Sequence, residues 1–159
     1  MDWQQNPELQ GRMHPQYPSD LQVVVHLGGP HTSSQGFELL WIRITGFEAG
    51  VYRGDLLEQP QKLSGLSEGD QIRFLVPSNV RQNPVLVTDA YLSEIPDWEV
   101  SGCRGCGSSI LLDPPSALIR SAIPGLPPGA FPEAFSALCG LCGGAQPVRR
   151  SDTEGFQES

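Results

Sequence analysis

The chain has 159 residues, of which 38% are hydrophobic, and its 15 prolines and 18 glycines favour short strands and turns over long helices. A formal net charge of −8, from 18 acidic and 10 basic residues, disfavours non-specific binding to nucleic-acid phosphates and favours a basic partner. This length suits one medium domain, or a small domain followed by a metal-stabilised module.

Residues 1–20 contain charged side chains and three prolines, with no apolar run between them. Such a segment is not an export signal, and the prolines forbid a continuous helix. We predict a loosely ordered leader that Trp3 and Tyr17 attach to the body of the protein. No apolar run in the chain is long enough to cross a membrane, so we predict a cytoplasmic protein without membrane association.

Period-two alternation of apolar side chains predicts several short strands in residues 21–100. The clearest example places Leu40, Ile42 and Ile44 on one face of a strand. Glycine- and proline-containing turns separate the strands, which is typical of antiparallel hairpins. The predicted fold class is therefore mainly β (α+β), with a small antiparallel β-barrel or bent sheet in this segment. The predicted strands are residues 21–27, 38–45, 51–57, 71–76, 84–88 and 95–100.

The composition changes after Val100, where cysteine and glycine become frequent. We predict a zinc-ribbon-like module over residues 101–147 with two short helices. Its predicted elements are a strand at 109–112, a helix at 115–123 beginning at a proline, and a second helix at 132–138 that leads to Cys139. We interpret residues 148–159 as a flexible tail.

Two cysteine pairs lie in this module, Cys103-Arg-Gly-Cys106-Gly and Cys139-Gly-Leu-Cys142-Gly. Two intervening residues let both thiolates of a pair reach one ion, and the glycines permit the tight turn that directs backbone N–H groups at the sulfurs. Two such pairs supply the four ligands of a tetrahedral site. We predict that these four cysteines bind one structural Zn²⁺. The 32 residues between Cys106 and Cys139 exceed the usual ribbon spacing, which indicates an insertion.

Three other interpretations of the cysteines remain open. A mononuclear iron site uses very similar motifs, a thioredoxin-like redox site needs only one pair, and four buried thiols without metal are the plainest alternative. We favour zinc because it is common in structural sites of this spacing. With all four positions filled by cysteine, no coordination position is left for substrate, so the site is predicted to be structural and not catalytic.

Other residues offer weaker candidates for a site. His14, His26 and His31, with Glu38 or Asp20, lack the spacing of a second metal or catalytic site, and we interpret the three histidines as surface or strand-end residues. The aromatic residues of the predicted strands are interpreted as core and rim rather than as a binding face. The acidic residues are interpreted mainly as solvated surface, with a patch for a basic protein as the functional alternative. The aromatic residues are Trp41, Tyr52, Phe74 and Trp98, and the acidic ones are Glu68, Asp70, Glu94, Asp97 and Glu99.

A series of short motifs runs through the middle of the chain: Trp41-Ile-Arg-Ile-Thr45, Gly54-Asp-Leu56, Pro60, Leu66-Ser-Glu-Gly-Asp70 and Ile95-Pro-Asp-Trp98. In these motifs residues 40–100 resemble an uncharacterised bacterial domain family of unknown function. The resemblance implies a small β-rich fold with no established activity. It also implies an association with accessory or immunity-type proteins. Members of that family usually end soon after the Asp-Trp, so the cysteine module departs from the pattern.

These observations predict a non-enzymatic zinc-binding interaction protein, of the immunity type, whose acidic surface binds a basic toxin or another basic protein. The alternative is a nucleic-acid-binding accessory protein that uses the zinc module and the small barrel. In that case Arg104, Arg149 and Arg150 would contact phosphate, although the net charge opposes it. The sequence does not specify the partner or the oligomeric state.

Overall fold

The structure is a computed structural model that describes residues 3–26, 37–63, 65–77, 81–123, 125, 127, 132–139, 142 and 144–151. The chain divides into two compact units, with the division between Val87 and Thr88. We call them the barrel unit, which ends at Val87, and the cysteine unit, which runs from Thr88. Within the described residues, every helix is too short or too polar to traverse a bilayer.

The barrel unit is a closed five-stranded barrel. Its strands are arranged around the barrel in the order in which they occur in the sequence. Neighbouring strands pair antiparallel, except that the last strand pairs parallel with the first through Val85 and Val24. This confirms the predicted mainly β fold with a small barrel. The strands are β1 (Asp20–Val25), β2 (Glu38–Glu48), β3 (Val51–Leu56), β4 (Gln71–Leu75) and β5 (Val85–Leu86).

The alternating sequence pattern explains which side chains fill the barrel. In β2, Leu40, Ile42 and Ile44 are buried while Arg43 and Thr45 point outward. Gly54 on β3 lies where a Cβ would meet Ile42 Cγ2 at 2.5 Å and the Arg43 carbonyl oxygen at 2.7 Å. A side chain at this position would therefore force the two strands apart. The close pairing of β2 and β3 requires glycine here.

The leader is part of the barrel unit rather than a loosely attached segment. Leu9 is 2% exposed and joins the core, and Trp3 packs against that core as predicted, whereas Tyr17 is 54% exposed. The Tyr52 hydroxyl, buried inside the barrel, donates to Glu8 Oε2 at 2.7 Å and accepts from Asn6 Nδ2 at 2.6 Å. Because the hydroxyl would be unpaired without the leader, these bonds fix the segment in place.

The cysteine unit contains two short α-helices and a three-stranded antiparallel sheet in the order β6-β8-β7. The N-cap residue Thr88 accepts a hydrogen bond from the Tyr91 amide at 3.2 Å, which begins the first helix. The Glu94 carboxylate at the end of that helix accepts from the Ser116 amide at 2.9 Å, in the first turn of the second helix. The elements are α1 (Asp89–Glu94), β6 (Trp98–Val100), α2 (Pro115–Ala122), β7 (Ala134–Leu138) and β8 (Ala145–Arg150).

The predicted domain boundary at residue 100 differs from the division in the structure. Residues 95–100 were predicted to be the last strand of the segment 21–100, but β6 pairs with β8 of the second sheet, with Trp98 opposite Arg150 and Val100 opposite Val148. The segment from Thr88 to Val100 therefore belongs with the cysteines. Of the strand predicted at residues 95–100, only Trp98–Val100 is extended, since Ile95–Asp97 form a turn of 3₁₀ helix. A local sequence pattern also does not identify which sheet a strand joins.

Three element predictions in the cysteine unit were wrong. The helix predicted at residues 132–138 is absent: Ala134–Leu138 form β7, because pairing of these five residues with β8 outweighs the helix propensity of the alanines and leucine. The predicted flexible tail overlaps β8, where Glu99 and Trp98 on β6 lie opposite the charged Arg149 and Arg150. Residues 109–112 are not a strand, although three of them are buried apolar residues. Residues 152–159 lie outside the described part of the chain.

Candidate metal centre

The four cysteines lie on two loops, which we call the first knuckle (residues 103–107) and the second knuckle (residues 139–144). The first knuckle follows β6, and the second joins β7 to β8. Each loop is closed by its own backbone hydrogen bonds, from the Cys103 amide to the Ser108 carbonyl at 2.9 Å and from the Cys139 amide to the Gly144 carbonyl at 2.8 Å. A bond of 2.9 Å from the Arg104 amide to the Ala145 carbonyl joins the first knuckle to the start of β8, directly after the second knuckle. The backbone therefore positions the cysteines.

The four sulfur atoms converge as the sequence predicted. All lie within 4.8 Å of one another, with 3.4 Å between the Cys103 and Cys142 sulfurs and 3.7 Å between those of Cys106 and Cys139. No disulfide joins them. A tetrahedral ion with metal–sulfur bonds of about 2.3 Å requires sulfurs about 3.8 Å apart, so the cluster has the dimensions of such a site. The four cysteines can therefore hold a metal ion.

Backbone amides point at the sulfur atoms, as expected for this motif. The Gly105 amide donates to Cys103 Sγ at 3.3 Å, and the Gly144 amide donates to Cys142 Sγ at 3.4 Å. These donors stabilise negative charge on sulfur. Four thiolates around a divalent ion would leave a net charge of about −2, and the amides help to disperse it.

Glycine is required at the knuckles mainly because the loops approach closely. A Cβ on Gly105 would lie 2.9 Å from Cys142 Sγ, and a Cβ on Gly144 would lie 2.9 Å from the Gly105 nitrogen and 3.0 Å from Cys103 Sγ. Each glycine thus leaves room for a sulfur of the other knuckle. The sequence-based expectation of positive φ applies to Gly107, at 83°, but not to these two glycines.

The cysteines differ in their protonation behaviour. A hydrogen bond from the Cys106 backbone amide, with smaller contributions from the Gly105 amide and from neighbouring thiols, lowers the pKa of Cys103. Burial, followed by the effect of nearby Cys142 and Cys139, raises the pKa of Cys106. Sulfurs this close do not all ionise on their own, because like charges repel. A cation that binds here therefore displaces protons as it collects the four thiolates.

Gln146 is a part of the site that sequence reasoning missed. Its side chain on β8 is 0% exposed, and its Nε2 donates to the Ser108 carbonyl at 2.6 Å and the Ser101 carbonyl at 3.2 Å. These carbonyls flank the first knuckle, so Gln146 holds both ends of the loop that carries Cys103. Its Oε1 atom has no hydrogen-bond partner within the described structure. The available sequence signal was a polar residue three positions after the second cysteine motif, at the end of the predicted zinc module.

The other candidate residues are engaged elsewhere. His26 is 1% exposed, and its Nε2 atom lies 2.8 Å from the Leu86 carbonyl oxygen. The His14 ring packs against Tyr17 and Trp41, with ring centroids 5.0 and 5.1 Å away. Their suggested partners bind other groups, since Asp20 pairs with Arg43 and Glu38 accepts three backbone amides of residues 61–63. His31 lies outside the described residues.

The aromatic and acidic candidates have mostly structural contacts. Tyr52 and Phe74 are buried in the barrel core, as we interpreted them, and Trp41 is half-buried. Trp98 is buried in the cysteine unit instead, where its ring packs against Phe135. Among the acidic residues, Asp70 accepts from the Ser67 amide at 2.8 Å and Glu99 pairs with Arg149 at 3.2 Å. Glu94 binds Ser116 in the helix contact described above. These contacts stabilise turns and strands.

Comparison with protein-family models, with curated proteins and with solved structures finds no match for this chain. The resemblance of residues 40–100 to the uncharacterised bacterial family therefore stays a prediction. The motif residues that carry it have structural roles here. Gly54 permits the approach of β2 and β3, and the turn at Gly69 and Asp70 forms hydrogen bonds with Leu56 at 2.8 and 2.9 Å.

Proposed function

We propose that the chain is a non-enzymatic interaction protein whose cysteine unit is stabilised by one structural zinc ion. The observation that carries the metal assignment is the convergence of four cysteine sulfurs within 4.8 Å. A tetrahedral set of four sulfur ligands is typical of zinc or iron, and zinc is the usual ion of structural Cys₄ sites. Iron is the competing metal, and metal analysis distinguishes the two.

The ligand set supports a structural rather than a catalytic role. With four protein ligands, a tetrahedral ion has no open position at which water or substrate can bind. The ion would join the two knuckles, which are otherwise connected through short backbone contacts. Metal binding of this kind contributes on the order of 10 kcal/mol to folding of the segment around it.

Cobalt substitution tests the coordination directly. Protein loaded with one equivalent of Co²⁺ should show strong thiolate-to-metal charge-transfer absorption and tetrahedral d–d bands, both abolished by one equivalent of Zn²⁺. Cys106→Ser should weaken these bands, whereas Ser136→Ala, at an exposed position of β7, should leave them unchanged. A weak octahedral spectrum in the unmodified chain, or full bands in Cys106→Ser, would contradict the proposal.

We further propose a basic protein as the partner, in the manner of an immunity-type protein that binds a basic toxin. The support is the net charge of −8, together with exposed acidic residues of the barrel unit at Glu48, Glu58, Glu68 and Asp70. Opposite charges accelerate association and suppress unsuitable partners. The resemblance to a family with immunity-type relatives points to the same class.

Salt dependence tests this partner class. Proteins retained by the immobilised chain at low salt would be purified and their association rates measured at low and high ionic strength. We expect a basic partner whose association slows at least tenfold with added salt, and slows further with Glu68→Lys. Retention of nucleic acid alone, shown by gel shift, or binding that is indifferent to salt would contradict the proposal.

A further inference from the structure

The four cysteines differ sharply in their access to solvent. Cys103 and Cys139 are 4% and 5% exposed, Cys106 is half-buried, and Cys142 is exposed. An oxidant arriving from solvent must reach a sulfur atom before it can react, so exposure determines which thiolate is attacked first. Cys142 is therefore the accessible sulfur of an otherwise protected cluster.

Cys142 Sγ lies close to a sulfur atom of the first knuckle, that of Cys103. Cys103 Sγ lies 3.4 Å away, closer than the 3.7 Å between Cys106 and Cys139. A disulfide has a sulfur–sulfur bond of about 2.05 Å, so the pair would have to close by roughly 1.4 Å. The residues beside the two sulfurs are glycines: a Cβ on Gly105 would lie 2.9 Å from Cys142 Sγ, and a Cβ on Gly144 would lie 3.0 Å from Cys103 Sγ. Because neither residue has a side chain, neither obstructs the approach.

From this arrangement we propose that the cluster is also a peroxide-oxidation site, in which Cys142 and Cys103 form a disulfide that releases the metal. The release step rests on the proposed metal function, whereas disulfide formation depends only on the sulfur positions. Hydrogen peroxide, or an organic hydroperoxide of similar reactivity, is the oxidant.

The reaction proceeds in two balanced steps. The Cys142 thiolate attacks one oxygen of hydrogen peroxide, the O–O bond breaks, and sulfenic acid and hydroxide are formed. The Cys103 thiolate then attacks the Cys142 sulfur, the S–O bond breaks, the S–S bond forms, and a second hydroxide leaves. Two electrons pass from the two thiolates to one peroxide molecule.

After loss of these two ligands, a bound ion would keep only Cys106 and Cys139. Two thiolates bind zinc far more weakly than four, so the ion dissociates. The new bond joins residues 39 apart in sequence and keeps the knuckles together after the ion has left. A thiol reductant with added zinc restores the original site. Oxidation thus exchanges a metal link for a covalent link at the same place.

The test uses the zinc-loaded full-length chain and hydrogen peroxide. Zinc content is measured first, and zinc release is then followed with a chromogenic chelator as peroxide is added. We expect about one zinc released per peroxide consumed, sulfenic acid trapped by dimedone at Cys142, and a Cys103–Cys142 disulfide in peptide maps after alkylation. Dithiothreitol with zinc should reverse the reaction.

The outcomes separate this inference from the proposed function. A chain that holds no zinc before oxidation contradicts the metal proposal, while the disulfide map of that same sample still tests the oxidation proposal. A bond within one knuckle, a Cys106–Cys139 bond, or dimedone labelling first at Cys106 or Cys139 would overturn the inference. Retention of zinc and of four reduced thiols under excess peroxide would overturn it as well.

Discussion

Gly105 and Gly144 determine how closely the two knuckles approach. A methyl group on Gly105 would lie 2.9 Å from Cys142 Sγ, a separation too short for a van der Waals contact. We expect Gly105→Ala to displace the Cys142 sulfur and lower metal affinity on the order of 10–100-fold, the usual effect of altering the groups that orient metal ligands. Competition with a chelator of known zinc affinity measures the change.

The matched control for Gly105→Ala is Gly125→Ala, in the same unit. Apart from its chain neighbours, no atom in the described part of the chain lies within 4 Å of a Cβ built on Gly125, and its φ is not in the left-handed region. This variant should bind metal as the wild type does. Equal affinity in Gly105→Ala and Gly125→Ala would show that the close approach of the knuckles does not determine metal binding.

His26 gives the barrel unit a pH dependence. Burial lowers the pKa of His26 below 6.5, and the hydrogen bond with the Leu86 carbonyl offsets only part of that effect. In the unfolded chain the imidazole binds a proton at a higher pH than in the folded chain. The stabilising contribution of neutral His26 is therefore complete above about pH 6.5 and is lost as the pH falls towards the folded-state pKa.

Replacing His26 with a residue that does not titrate should remove this dependence. In urea unfolding between pH 7.5 and 5, we expect the free energy of unfolding of His26→Gln to change less with pH than that of the wild type. The difference in slope should reach at most about 1.4 kcal/mol per pH unit, the limit for one proton. Parallel pH profiles would show that His26 does not titrate on unfolding.

At the scale of strands, the β2–β3 pair depends on Gly54. Gly54→Ala introduces a methyl group at 2.7 Å from the backbone oxygen of Arg43, which cannot move without breaking the pairing. We expect a loss of about 1–3 kcal/mol in the free energy of unfolding of the barrel unit, as is usual for overpacking. Gly46→Ala is the control, because the three atoms nearest to its methyl group, the first at 2.7 Å, all belong to the flexible end of the Arg53 side chain.

Urea unfolding followed by tryptophan fluorescence compares the two variants, since Trp3 and Trp41 lie in the barrel unit. Gly46→Ala should unfold close to the wild type, with Arg53 rotating away from the new methyl group. An equal loss in the free energy of unfolding of both alanine variants would contradict this account. It would show that the close approach of β2 to Gly54 is not what makes glycine necessary there.

Sequence patterns predicted β2, β3 and β4 well because each of these strands buries mainly one face, and β1 was recognisable from its run of β-branched residues. In β2 and β4, apolar side chains such as Leu40, Ile42 and Phe74 alternate with polar or more exposed ones. The alternating apolar side chains are the buried ones. The same approach failed in β7, whose five residues have no strict alternation and gain their structure from β8. Local pattern also misassigned β6, because the partner of a strand is a long-range property.

The metal centre shows the same division between local and long-range information. The spacing within Cys103–Cys106 and Cys139–Cys142 is local, and it predicted the convergence of the four sulfurs. Gln146, by contrast, acts on Ser101 and Ser108, 45 and 38 residues earlier in the chain. A contact over that distance has no short motif, so the sequence alone did not reveal it.

For the whole molecule, the division into two units predicts where metal removal acts. Among the described residues, the barrel core is built from the barrel unit, so we expect its stability not to require the cysteines. On addition of a strong chelator, we expect faster hydrogen exchange in β6, β7, β8 and the knuckles, and unchanged exchange in β1 to β4. Mass spectrometry of proteolytic peptides measures both regions in one sample. Equal acceleration in the barrel strands would contradict independent units.

The central claim is that the four cysteines bind one metal ion, and native mass spectrometry tests it most directly. The folded chain, purified with zinc available and sprayed from a volatile buffer, should carry the mass of one zinc ion less the protons that it displaces. Cys106→Ser should lose most of that added mass. A wild-type chain that stays metal-free with its four thiols reduced, or a Cys106→Ser chain that keeps its full zinc, would contradict the account.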